Sequence, residues 1–148
     1  MTAVVDGCMA GAMIAGRAKL YTLLSTIEER RMGLSTHVLD TMHGTPAAGM
    51  GVELYTLQDG QAALVRRFAL NADGRSADGP LYRDGELKAG RYRLVFDVAA
   101  YFRGRGVALP DPAFLDRVSL DFGIAAPQEH YHVPLLVSPW SYSTYRGS

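Results

Sequence analysis

Apolar and polar residues alternate along most of this chain with a period of two, the mark of strands that bury one face. The alternation is sharpest near the C-terminus. Over residues 130–138, Tyr131, Val133, Leu135 and Val137 share one face, wholly apolar or aromatic. His130, His132, Pro134, Leu136 and Ser138 share the other. The first set belongs in a core. The second carries two imidazoles and a proline, an odd surface to leave facing plain water. Ser138-Pro139 makes a tight corner, and residues 140–145 read as a second strand.

Earlier segments repeat the pattern. Residues 34–41 (LSTHVLDT) put Leu34, Thr36 and Val38 on one face and Ser35, His37 and Leu39 on the other. A loop with Gly44, Pro46 and Gly49 leads to residues 50–57, where Val52, Leu54 and Thr56 alternate with Glu53, Tyr55 and Leu57. Asp59-Gly60 is a hairpin signal, because a type I′ turn needs positive φ at both central residues; residues 63–70 return from it. Residues 71–74 (NADG) form another turn, followed by Arg75. Residues 76–89 are polar and turn-rich, with a short strand near Leu81-Tyr82. Residues 91–96 set Tyr92, Leu94 and Phe96 against Arg91, Arg93 and Val95, the two arginines on a solvated face. Asp97 is a suitable N-cap for a short helix over 98–103, which Gly104 and Gly106 stop. After a proline-bearing loop, residues 117–122 direct Val118, Leu120 and Phe122 inward. About seven or eight short strands with regular turn signals predict an antiparallel β-sandwich.

Composition narrows the function. The chain has 148 residues, enough for one domain with a real core. Lys plus Arg and Asp plus Glu both number 15, and a zero net charge argues against a nucleic-acid binder. The single cysteine, Cys8, rules out an intrachain disulfide and suits a reducing compartment. No apolar run approaches the roughly 18 residues of a membrane span. Residues 1–33 read apart from the rest, as an extension that is disordered or a short helix. Cys8 to Ala15 has the size of a signal core, but Asp6 precedes it and no Lys or Arg comes before Arg17. Leu20, Leu23, Leu24 and Ile27 follow helical spacing. A start at Met32 would open directly into the first strand.

Four separated places offer polar groups that could converge: His37, Arg75, the His130/His132 pair, and Tyr145 with Arg146 and Ser148. Histidine is the natural general base near neutral pH. Arginine offers a permanent charge and a planar fork of donors suited to an oxyanion or imide-like heterocycle. Together they would serve hydrolysis by activated water. No GxSxG motif points to a serine nucleophile. Each group also has a bland reading: His37 as a satisfied strand histidine, Arg75 as a solvated turn residue, Tyr145 as an edge aromatic. The His-x-His spacing would also suit a metal, with His37 as third ligand.

Residues 34–50 (LSTHVLDTMHGTPAAGM), 71–75 (NADGR), 90–102 (GRYRLVFDVAAYF), 130–145 (HYHVPLLVSPWSYSTY) and the terminal YRGS resemble, in order, the transthyretin-like 5-hydroxyisourate hydrolases of purine catabolism. The terminal tetrapeptide separates those enzymes from the hormone carrier transthyretin. The resemblance implies an all-β transthyretin-type sandwich of two four-stranded sheets with one short helix, spanning residues 34–148. It implies a homotetramer, a dimer of dimers, with active sites between dimers and the His132, Pro134, Leu136 face lining a central channel. The motif histidine falls on His37, the arginine on Arg75, the second histidine on His132, and the terminal tyrosine and serine on Tyr145 and Ser148. His37, Arg75 and His132 would be catalytic; His37, Arg75, Tyr145 and Ser148 would hold substrate. Neither His130 nor His43 belongs to the motif set. The implied reaction opens the N1–C6 bond of 5-hydroxyisourate to give 2-oxo-4-hydroxy-4-carboxy-5-ureidoimidazoline. No cofactor, metal, nucleic acid or membrane is expected, and the expected compartment is cytoplasmic rather than periplasmic. The rival expectation is a small-ligand carrier on the same fold, without turnover; a metal-binding module and a monomeric interaction sandwich are further readings.

Overall fold

The structure, a computed structural model, describes residues 32–147. The expectations for residues 1–31 and for Ser148 lie outside the described residues. Nine strands and one helix occur among the described residues: β1 (Met32–Asp40), β2 (Thr45–Pro46), β3 (Gly51–Gln58), β4 (Gln61–Ala69), β5 (Tyr82–Arg83), β6 (Gly90–Phe96), α1 (Val98–Gly104), β7 (Val118–Ile124), β8 (Tyr131–Val137) and β9 (Tyr142–Thr144). One sheet runs β2-β1-β8-β9, with β5 also pairing β1; the other runs β4-β3-β6-β7. The fold is a transthyretin-type β-sandwich with one short helix. Two-residue β2 adds a fifth member to the four strands expected in the first sheet. The β1–β8 ladder is parallel, while the other ladders are antiparallel. A parallel neighbour requires a long crossover, and here the whole second sheet lies in sequence between β1 and β8.

The alternation explains which faces meet. Leu34 and Val38 of β1, Val52 and Leu54 of β3, Leu94 and Phe96 of β6, Val118 and Leu120 of β7, and Leu135 and Val137 of β8 are buried together. Each such side chain contributes about 1.5–3 kcal/mol on leaving water. Thr36 also faces inward, and its hydroxyl donates to the Val133 carbonyl at 2.8 Å, so the buried polar group is satisfied. Asp59 and Gly60 both take positive φ (51° and 74°), which makes the β3–β4 turn the expected type.

One local expectation needs correction. Asp97 precedes α1 but makes no side-chain cap; its Oδ1 accepts from Arg117 Nε at 2.8 Å. The charge of Arg117 outcompetes the helix-end amides for that carboxylate. The Arg91/Arg93 face reaches solvent, as expected. Arg93 forms a two-pronged pair with Asp121 on β7, at 2.6 and 2.8 Å.

Candidate active site

The parallel register of β1 against β8 builds the centre of the site. It sets Ser35 opposite His132, His37 opposite Pro134, and Leu39 opposite Leu136. Residues opposite each other project to the same side of a sheet, so the histidine-bearing faces of the two strands merge on the outer side of the first sheet. The Ser35 hydroxyl lies 2.8 Å from His132 Nδ1. His130 stacks on His132 with ring centroids 6.4 Å apart and planes 18° from parallel.

Arg75 arrives from the turn after β4. Gly74 N–H donates to the Asn71 carbonyl, and Val38 N–H donates to the Gly74 carbonyl at 2.9 Å, docking the turn on β1. Gly74 has φ +72°, and a Cβ there would stand 2.6 Å from the Val38 oxygen. A side chain at this position would therefore lift the turn away. The docked turn makes a bridge pairing Arg75 with His37. Asn71 braces the turn further, its Oδ1 accepting from the amides of Asp73 and Arg75.

The tail after β9 closes on His132. Gly147 N–H donates to the His132 carbonyl at 2.8 Å, and the two residues form a bridge. A Cβ on Gly147 would lie 2.7 Å from His132 Cδ2, so only glycine permits this approach. Arg146 anchors the same segment. Its Nη2 donates to Glu129 at 2.7 Å, and its guanidinium carbon stands 4.3 Å from the centre of the Tyr131 ring.

Both histidines favour the neutral state. Burial, then the charges of Arg75, His130 and His37, push His132 down to about 4. Burial and the Arg75 charge also lower His37, against a hydrogen bond to the Asp73 main chain and the Asp73 charge, which raise it. The site therefore offers two neutral imidazoles beside a fixed cation. That set can accept a proton from water and stabilise a developing oxyanion.

Of the five site residues expected from the sequence, His37, Arg75 and His132 come together. Tyr145 stands exposed after β9, two residues before Gly147; Ser148 lies outside the described residues. Ser35, Gly74 and Gly147 were not singled out. Face parity puts Ser35 beside His37, but its pairing with His132 depends on a register between strands 97 residues apart. His43 belongs elsewhere. Its ring donates to Asp40 at 2.6 Å and stacks on Phe102 of α1. Among the described residues no group of three or more His, Cys, Asp or Glu side chains could hold a metal ion.

A family model, "HIUase/Transthyretin family", matches residues 34–147. The chain belongs to the HIUase/Transthyretin family. Among the family's curated members it is 53% identical over 115 residues to the 5-hydroxyisourate hydrolase of Pseudomonas aeruginosa, covering 78% of this chain and 90% of that one. Two solved structures share the fold. One is (S)-allantoin synthase, at 46% identity and TM-score 0.75 over 82% of this chain; the chain spans only 45% of that longer protein. The other is sea bream transthyretin in complex with thyroxine, at 29% identity and TM-score 0.67, over 78% of this chain and 94% of that one.

Proposed function

We propose that the protein hydrolyses 5-hydroxyisourate, opening its N1–C6 bond to give 2-oxo-4-hydroxy-4-carboxy-5-ureidoimidazoline. The observation that carries this reading is the meeting of His37, Arg75 and His132 on one sheet face. The 53% identity to a 5-hydroxyisourate hydrolase supplies the substrate. One histidine activates water, while the other orients it or assists the leaving nitrogen. Arg75 stabilises the anionic oxygen that develops. Tyr145 and Ser148 hold the heterocycle. The chain acts without a cofactor, in the cytoplasm, as a dimer of dimers whose sites lie between dimers. Support for the assembly comes from the half-buried, apolar Leu136 on the His132 face, and from the exposed Trp140 and Tyr142 after β8.

The carrier reading has one observation in its favour, the likeness to a transthyretin that holds thyroxine. The identity to that protein is much lower than to the hydrolase, and half-buried histidines beside an arginine are costly without a task. The deciding experiment generates 5-hydroxyisourate in situ with urate oxidase. Decay of the intermediate is followed by ultraviolet absorbance, and the product by circular dichroism. Fast, stereoselective decay that His132→Ala and Arg75→Ala both lose is the expected result. Decay at the uncatalysed rate, with tight ligand binding, would establish the carrier instead.

A further inference from the structure

We propose that Ser35 is a positioning residue that holds His132 as its Nε2–H tautomer, so that His132 meets substrate as a hydrogen-bond donor and His37 is left as the base. This rests on the hydrolase reading and assigns separate roles to its two histidines.

Three observations carry the inference. First, Ser35 is 8% exposed, and among the described residues its hydroxyl has one partner, His132 Nδ1 at 2.8 Å. A hydroxyl carries one proton, and a buried donor left without an acceptor is penalised more than an acceptor left without a donor. Donation from Ser35 Oγ to Nδ1 satisfies that proton. Nδ1 must then present its lone pair, and the single proton of the neutral ring sits on Nε2. The half-buried, cation-facing environment keeps the ring neutral.

Second, the Asp73 main chain raises His37, as a hydrogen-bond acceptor does. The Asp73 amide is already engaged with Asn71 Oδ1 at 2.9 Å, so the partner is the Asp73 carbonyl, which only accepts. One His37 nitrogen therefore carries the proton, and the other keeps a free lone pair. Third, the Val38 amide donates to the Gly74 carbonyl, fixing the turn that carries Asp73 against β1. The two rings are thus held in opposite senses: His37 accepts and His132 donates.

The chemistry balances with water alone. The water oxygen bonds to C6 while its proton passes to the His37 lone pair. The electron pair of the N1–C6 bond leaves on N1, and N1 takes the proton back from the His37 imidazolium. During the step the C6 oxygen gains charge, which Arg75 and His132 Nε2–H meet with hydrogen bonds. His132 begins and ends neutral, as a group acting through its N–H must.

The test combines a spectroscopic and a kinetic readout. In protein with nitrogen-15-labelled histidine, His132 is assigned by loss of its signals in His132→Gln. The expected wild-type signature is a pyridine-type Nδ1 and a pyrrole-type Nε2. Ser35→Ala should shift both signals and lower kcat by about 10-fold, the lower end of the cost of removing a histidine's outer hydrogen-bond partner in metal sites. KM should stay nearly unchanged, and Ser35→Thr, which restores the hydroxyl on a strand, should recover kcat. A protonated Nδ1 in wild type overturns the proposal, as does a fully active Ser35→Ala. If Ser35→Ala does not fold, the wild-type spectrum decides. Wild-type protein with the expected spectrum but no turnover of 5-hydroxyisourate sinks the hydrolase reading and leaves the Ser35–His132 assignment standing.

Discussion

At the scale of single residues, the proposed hydrolysis depends on two histidines kept uncharged beside an arginine. Burial and cationic neighbours lower both, so protonation of His37 should shut the reaction down on the acid side. The kcat/KM profile should therefore be level at neutral pH and fall with a midpoint below 6.5, the ordinary value for His37. The same shifts affect folding. The unfolded chain takes up protons near 6.5, whereas folded His132 waits until about 4, so stability present above 6.5 is lost as pH falls through that window. Melting temperatures across pH 4 to 7 should drop toward acid, and His132→Gln should flatten the slope. Removing His132 with Ala should lower the rate by about 10²–10⁴-fold, and removing Arg75 by about 10²–10³-fold. Gly147→Ala makes a sharper point. Its methyl group would meet His132 Cδ2 at 2.7 Å, so kcat should fall while the melting temperature holds, because the tail after β9 is exposed and can move aside. His37 and Arg75 are legible in the sequence as candidate chemistry. Their meeting is not, because it depends on a turn whose glycine touches the Val38 oxygen.

Elements are held by two polar clusters that take no part in the site. Asp40, at the end of β1, is 0% exposed. It accepts from Tyr101 Oη of α1 at 2.8 Å and from the amide and ring of His43 at 3.0 and 2.6 Å. Burial pushes the carboxyl up, but these donors outweigh it and hold Asp40 below the usual carboxylate range. Burial, then the hydrogen bond to Asp40, pushes the Tyr101 hydroxyl up to about 12. Asp40→Ala leaves that buried hydroxyl without its acceptor and should cost about 1–3 kcal/mol, read by urea denaturation. On the outer face of the second sheet, Glu53 gathers Tyr55, Arg67 and Arg117 from two strands and the loop end before β7. Hydrogen bonds from Tyr55, Arg117 and Arg67 lower Glu53 to about 2. Its support is present above the ordinary 4.5 and disappears as pH falls toward 2. A Glu53→Gln protein should show a weaker loss of melting temperature over that range. Strand positions and parity were readable from alternation, because one buried face imposes a period of two. The cap on α1 was not. Asp97 has the right residue type at the right place, yet its carboxylate goes to Arg117, a partner brought by β7.

For the whole molecule, the first expectation concerns assembly. Multi-angle light scattering should give four times the chain mass, and a monomer with full hydrolytic activity would sink the dimer-of-dimers proposal. The sequence by itself determined the class of fold, the inward and outward faces of the main core strands, and a short list of residues with the chemistry to activate water. Those features are local: they follow from a two-residue period, turn chemistry and side-chain type. Only the tertiary structure decided what meets what. The parallel β1–β8 register joins Ser35 to His132, the Gly74 turn brings Arg75 to His37, and the Gly147 tail closes on His132. Each is a contact between segments far apart in the chain. Such contacts are set by the packing of two sheets into one core, and no local pattern carries that information.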